Sequence, residues 1–127
     1  TFSPDGRWIT YTAGGGGPPE VFVSPVGREG RWQISRNGGF APRWSRSGRE
    51  IVYFEPPNRL MAVDVITEDG FRAGPPNALF ALPQAALQGG GYAIEPGGER
   101  ILLPLATGQA ATPPLRLVLH WPRLLPR

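Results

Sequence analysis

Few side chains in this sequence are of a type that could do nucleophilic or acid–base chemistry. His120 is the single histidine, cysteine is absent, and all 13 basic residues are arginine. Without lysine, the chain cannot carry the lysine of a phosphate-binding loop, the strand lysine of a protein kinase or a Schiff-base amine. No serine lies in the Gly-x-Ser-x-Gly pattern of a hydrolase nucleophile. We therefore predict that this chain has no catalytic residue and is not itself an enzyme.

The acidic residues offer two candidate cation sites, and each has a simpler interpretation. Asp5 precedes a glycine within a repeated turn, where an aspartate hydrogen-bonds its own backbone. Asp64, Glu68 and Asp69 cluster near a strand end without the spacing of a calcium-binding loop, which favours solvated loop charges. One histidine and no cysteine cannot form a zinc site. We predict no metal site and no cofactor.

The positive charge of the chain is dispersed. The formal net charge is +3 at pH 7, and the arginines are scattered from Arg7 to Arg127 without a dense run. Nucleic-acid binding usually requires a concentrated basic patch. No apolar stretch is long enough to span a membrane. We expect neither nucleic-acid binding nor membrane insertion by this segment.

A repeated pattern sets the elements that position these residues. Three segments share an apolar first residue, a glycine four positions later and an isoleucine seven positions later. They are Phe2–Tyr11, Trp44–Tyr53 and Ile94–Leu103, and their starts are 42 and then 50 residues apart. Blades of β-propellers repeat at about 40 to 50 residues. Each glycine can close a hairpin turn, and the β-branched and aromatic residues after it are typical of a strand.

The repeat predicts an all-β fold, an incomplete β-propeller of about three antiparallel four-stranded blades. The 18 glycines and 16 prolines interrupt nearly every window of helical length, which excludes long helices. Further strands are predicted at Val21–Val23, Leu60–Val65 and Leu115–Trp121. The last blade lacks its outer strand, because only six residues follow Trp121. The predicted blade boundaries are 1–39, 40–83 and 90–127.

The turn motif and several other strings resemble the TolB-type or WD-repeat-like β-propellers of bacteria. The best matches to the blade motif of that family are Phe2–Tyr11 and Pro42–Tyr53. Gly30–Ser35, Leu60–Val63 and Leu117–Trp121 are similar to strings in the extracytoplasmic C-terminal propeller of bacterial serine/threonine protein kinases. The resemblance implies an extracytoplasmic (periplasmic) location. It also implies a non-catalytic module for protein interaction or ligand sensing, within a larger bacterial protein such as a receptor serine/threonine kinase.

Two other functions stay open at this point. The chain could be the propeller domain of a prolyl-oligopeptidase-like hydrolase, or a periplasmic scaffold similar to TolB. A Gly-x-Ser-x-Gly domain elsewhere in the full gene would indicate the hydrolase. The expected partners are a protein or a small ligand, together with the remaining blades of a parent chain or a second copy of this one.

The resemblance also implies a face for ligand or partner binding. In propellers of this type, contacts come from the loops that join second to third strands and from the loops that join successive blades. On this chain the face comprises Arg36, Asn37, Phe40, Glu55, Asn58, Arg59 and Tyr92.

Overall fold

The computed structural model describes residues 1–82, 92–94, 100–105 and 115–120. These residues form strands, turns and loops, and no helix lies among them. The described part of the chain accordingly contains no helix of the length and apolarity needed to cross a membrane. The chain divides into two compact units, residues 1–81 and 82–127. The first unit holds two sheets and the second holds one.

The first sheet has three strands in the order β1-β2-β3, all antiparallel. Phe2 forms an isolated antiparallel bridge to Ile9, and the Thr10 amide donates to the Thr1 carbonyl at 2.8 Å. The first residues therefore pair with the other edge of β1. The strands are β1 (Trp8–Ala13), β2 (Glu20–Pro25) and β3 (Trp32–Gln33).

The second sheet is the larger one, and its outermost strand is split into two parts. The order is β4-β5-β6-β7, and β8 also pairs with β6. The split falls at residues 74–76, where two prolines lack the N–H that a continuous ladder needs. This sheet has the four-stranded arrangement that the repeat predicts. The strands are β4 (Phe40–Trp44), β5 (Glu50–Glu55), β6 (Arg59–Ile66), β7 (Arg72–Ala73) and β8 (Asn77–Ala81).

The third sheet lies in the second unit and has the order β11-β10-β9, again antiparallel. The predicted turn at Gly97–Gly98 and the predicted strand end at Trp121 lie outside the described residues. With three antiparallel sheets and only strands as regular elements in the described ranges, the predicted all-β, incomplete propeller fold is confirmed. The strands are β9 (Ala93–Ile94), β10 (Arg100–Leu105) and β11 (Leu115–His120).

The core of the first unit joins buried side chains from both of its sheets. Trp8 packs edge-on against Trp32 with ring centroids 5.7 Å apart, and both rings contact Phe71 at 5.3 and 5.2 Å. Burial of each large apolar side chain contributes about 1.5–3 kcal/mol. Strand β5 is buried along its whole length, so polar side chains on it are held rigidly. The cluster consists of Trp8, Val21, Val23, Ile34, Trp44, Ile51, Tyr53, Met61, Val63, Val65 and Phe71.

Candidate functional site at the end of strand β5

Two polar side chains are buried near the end of β5. Tyr53 and Glu55 are two residues apart, so they face the same side of the sheet. Tyr53 is 0% exposed and Glu55 is 2% exposed. Among the described residues, the Tyr53 hydroxyl has no hydrogen-bond partner. Buried polar groups are normally hydrogen-bonded, which makes this hydroxyl an unusual feature of the core.

Glu55 forms an ion pair with Arg59 across the hairpin between β5 and β6. The two residues are direct partners in the strand register, and a three-residue turn separates them. The Arg59 Nη2 approaches Glu55 Oε2 as an ion pair without the alignment of a hydrogen bond. The carboxylate is buried, whereas the arginine side chain is 48% exposed. The positive group of the pair is therefore accessible to solvent, whereas the negative group is buried.

Glu20, at the start of β2, holds the loop that follows β3. Its Oε1 accepts from the Gly38 amide at 3.0 Å, and its Oε2 accepts from the Ser35 hydroxyl. The Ser35 Oγ in turn accepts from the Val21 amide at 2.8 Å. These bonds use both oxygens of the Glu20 carboxylate. Glu20 therefore ties β2 to the loop at residues 34–39.

Two glycines let this loop approach β5 closely. Gly38 has a φ of +84°, and a Cβ there would lie 3.4 Å from Pro56 Cδ. A Cβ on Gly39 would lie 2.9 Å from Ser35 Cβ and 3.0 Å from the Tyr53 ring, which is too close for any other residue type. The loop thus packs directly on the residues around Tyr53 and on the turn after Glu55.

Four charged groups act on the Tyr53 hydroxyl. Burial raises the pKa of Tyr53, and the charges of Glu55 and Glu20 raise it further. Arg36 and Arg59 oppose that shift. The phenol is therefore a protonated donor in neutral solution. Among the described residues, no three His, Asp or Glu side chains converge closely enough to hold a metal ion.

The structure brings some of the sequence-predicted site residues together. Glu55 and Arg59 are in contact, and the charge of Arg36 acts on the same hydroxyl. Phe40 packs on Phe54, with ring centroids 5.5 Å apart. The remaining three are placed separately: Asn37 is exposed on the loop after β3, Asn58 is half-buried in the turn after β5, and Tyr92 is buried in the second compact unit.

Sequence reasoning missed two members of this cluster, Glu20 and Tyr53. Tyr53 was predicted as a strand residue, and its spacing from Glu55 is the signal that both lie on one side of the sheet. Glu20 precedes the apolar run Val21–Val23, and no local pattern links it to the loop at residues 34–39. That contact depends on how β2 and the loop after β3 pack together.

Of the comparisons with known proteins, the one with solved structures gives a match. No protein-family model matches the chain, and no curated protein matches it. Among solved structures, a putative 6-phosphogluconolactonase from Bacteroides uniformis is similar, with 17% sequence identity and a TM-score of 0.53. The match covers 83% of this chain and 32% of that one, so the chain spans about a third of the length of that protein. At this identity the likeness concerns the fold.

These findings correct three predictions made from the sequence. Membership of the TolB-type or WD-repeat-like family is wrong, because no family model matches and the similar structure is named as a different protein. The function predicted from that resemblance, a non-catalytic interaction or sensing module, is also wrong, because the similar structure is named as an enzyme. The prediction that the chain is not an enzyme is also overturned, since the similar structure is named as an enzyme.

The physical reason for these errors is that the motif specifies a turn. A small polar residue followed by glycine closes a hairpin in any antiparallel sheet, and one fold hosts many functions. The absence of lysine and cysteine excludes only the chemistries that need those residues. Carboxylate, phenol and guanidinium groups, as at Glu55, Tyr53 and Arg59, are also common components of enzyme sites.

Proposed function

We propose that this chain provides the anion-binding part of a hydrolase that acts on a phosphorylated sugar lactone. The observation that carries the proposal is the Glu55–Arg59 pair, in which a buried carboxylate holds a half-exposed guanidinium. A guanidinium has five N–H donors in a planar fork that matches phosphate oxygens. Glu55 contacts Nη2, and the Arg59 side chain is 48% exposed to solvent.

The arrangement of charge at the site supports binding of an anion. Arg36 and Asn37 are exposed on the loop at residues 34–39, and Arg59 is half-exposed beside it. The negative groups are less accessible. Glu55 is buried, and the Glu20 carboxylate accepts a hydrogen bond from the loop at residues 34–39. A phosphate that approaches from solvent would therefore meet the guanidinium groups first. Because Glu55 orients the Arg59 guanidinium, little freedom of that side chain is lost on binding.

The class of substrate comes from the name of the Bacteroides uniformis protein. A 6-phosphogluconolactonase opens the lactone of 6-phosphogluconate with water. The water oxygen bonds to the carbonyl carbon, the bond between that carbon and the ring oxygen breaks, one water proton passes to the ring oxygen, and the other is released from the carboxylic acid that forms. The match covers only 32% of that protein. We therefore assign to the cluster only the recognition of the phosphate, and leave activation of the water to residues elsewhere in the protein.

The experiment measures binding and turnover separately. The protein is titrated calorimetrically with 6-phosphogluconate, the reaction product, and the opening of 6-phosphogluconolactone is compared with its spontaneous rate. We expect binding, and acceleration over the spontaneous reaction. Loss of a hydrogen bond to a charged group costs about 1.5–3 kcal/mol, so Arg59→Met should weaken binding at least about tenfold. Arg36→Met should weaken binding in the same direction.

Arg28→Met is the matched control. Arg28 is an exposed arginine between β2 and β3, beyond the end of β2 that lies away from Glu20, and its loss should leave binding unchanged. Gluconate, which lacks the phosphate, should bind weakly and should be insensitive to Arg59→Met. Absence of 6-phosphogluconate binding, or equal binding by wild type and Arg59→Met, would overturn the role of the cluster. Opening of the lactone at the spontaneous rate would overturn the enzymatic function.

A further inference from the structure

A cavity of about 500 Å³ lies at the opposite end of β5 from Glu55. At ~3.3 Å per residue, the length of the strand puts the two sites roughly 17 Å apart. The cavity forms where the turns before β1 and β5 meet the loop after β6. The two turns are in close contact, since a Cβ on Gly48 would lie 3.7 Å from Pro4 Cδ. Cavities of about 300–1,000 Å³ are typical of small-molecule sites.

Charged groups of both signs line this cavity. Asp5 and Glu68 contribute carboxylates, and Arg49 contributes a guanidinium. The Ser3 hydroxyl and then the Arg7 amide donate to Asp5 and lower its pKa, so it is an anion in neutral solution. Within the described residues, Arg49 and Glu68 form no ion pair. The opposite charges in the cavity therefore do not neutralise each other.

The rest of the lining combines apolar surface with hydroxyl groups. Pro4, Val65 and Ile66 provide apolar surface, and Ile66 is 50% exposed although it is a large aliphatic residue. Ser47 and Thr67 contribute hydroxyls. An exposed isoleucine beside charged groups suits a ligand that has an apolar portion and charged ends.

We propose that this cavity binds a small zwitterion with an apolar side chain, of the chemical class of amino acids and dipeptides. The ammonium group lies between Asp5 and Glu68, the carboxylate lies on Arg49, and the apolar portion packs on Pro4 and Ile66. Each charged group of the cavity then has a partner of opposite sign. The site is independent of the anion-binding cluster, which lies at the other end of β5 and uses none of these residues.

The probe for the test is the dipeptide Gly-Leu, titrated into the protein and followed by NMR chemical shifts and calorimetry. We expect Gly-Leu to shift the amide signals of the cavity lining, among them those of Arg49 and Ile66. Arg49→Met should weaken binding at least about tenfold, in line with a lost charged hydrogen bond. Amidation of the peptide carboxylate should weaken it to the same extent, and Arg49→Met should have no further effect on the amidated peptide. N-acetylation of the peptide should weaken binding to the same extent as Glu68→Gln, and Glu68→Gln should have no further effect on the N-acetylated peptide.

Arg49 and Glu68 are exposed, so neither substitution should alter folding, and unchanged unfolding midpoints would verify this. Arg28→Met again serves as the control for loss of one positive charge, and should bind Gly-Leu normally. No binding of Gly-Leu would overturn the proposal. Equal binding of capped and uncapped peptides would also overturn it. If glucose bound with similar affinity and regardless of Arg49→Met, the cavity would be a polyol site instead.

Discussion

The turn before β1 and the turn before β5 share four corresponding hydrogen bonds and differ in the side chain that accepts two of them. We refer to residues 3–8 as the first turn and residues 45–50 as the second turn. The first contains Asp5 where the second contains Ser47. The glycines that follow have nearly identical φ values, +72° at Gly6 and +73° at Gly48. The glycine conformation is therefore common to both turns, and the acceptor side chain differs, as do the residues at Pro4 and Trp8, which correspond to Arg46 and Glu50.

The distances show what the charge changes. In the first turn, Asp5 Oδ1 accepts from the Ser3 hydroxyl at 2.6 Å and from the Arg7 amide at 3.0 Å. In the second turn, the two serine hydroxyls are 3.0 Å apart, and the Arg49 amide donates to Ser47 Oγ at 3.3 Å. Bonds to an ionised acceptor are shorter and stronger. The comparison teaches that glycine sets the conformation of this turn and that the residue before it sets its strength.

The largest effect should come from the feature that the two turns share. Gly6→Val and Gly48→Val each place a β-branched residue at positive φ, and we expect a loss of about 1–3 kcal/mol in each case. Denaturant unfolding measures the loss. Gly15→Val is the control, because Gly15 has no positive φ and open space around it. If the unfolding midpoints of the two turn variants equalled the midpoint of the control, glycine would not set the conformation of these turns.

An exchange of the two acceptors tests the feature that differs. Asp5→Ser gives the first turn the acceptor of the second, and we expect a loss of about 0.5–1.5 kcal/mol, toward the lower end because Asp5 is exposed. Ser47→Asp gives the second turn the acceptor of the first and should be neutral or slightly stabilising. Unfolding of both variants near pH 7 provides the measurement. A larger loss for Ser47→Asp than for Asp5→Ser would show that the turns are not equivalent.

The smallest effect is a pH dependence that only the first turn should have. The pKa of Asp5 is lowered by the Ser3 hydroxyl and then by the Arg7 amide from its ordinary value of 3.8. Its contribution to stability is therefore present above pH 3.8, and is lost as the pH falls through the lower value of the folded state. The difference in unfolding free energy between wild type and Asp5→Ser should shrink from pH 5 to pH 2. A difference that stayed constant over this interval would mean that the carboxylate charge contributes nothing.

Much of the fold could be predicted from the sequence because it depends on local chemistry. Gly6 and Gly48 take the left-handed conformation that hairpin turns require, and the structure has them at positive φ. The strand after the first turn alternates as the pattern indicates, with Trp8 and Thr10 buried, whereas β5 is buried along its whole length. Neighbouring residues determine both features, so a repeat of the local pattern predicts a repeat of the sheet.

The cluster around Tyr53 could be predicted only in part. Glu55 and Arg59 are on one hairpin, and both were among the residues that the family resemblance implied. The charges of Glu20 and Arg36 act on the pKa of Tyr53 from the other sheet of the unit and from its following loop. No periodicity in the sequence links them to β5, because the contact between two sheets depends on the packing of distant side chains.

The sequence by itself determined the elements of this protein: strands, turn conformations and their repetition, all of which arise from backbone preferences and from alternation along the chain. Only the tertiary structure decided which polar groups meet. The loop at residues 34–39 reaches Tyr53 because Gly39 has no side chain and because both carboxylate oxygens of Glu20 bind that loop. The cavity beside Asp5 likewise exists because two turns, distant in sequence, lie side by side. Side chains that are far apart in the sequence acquire a common environment only when the sheets pack, and their function depends on that environment.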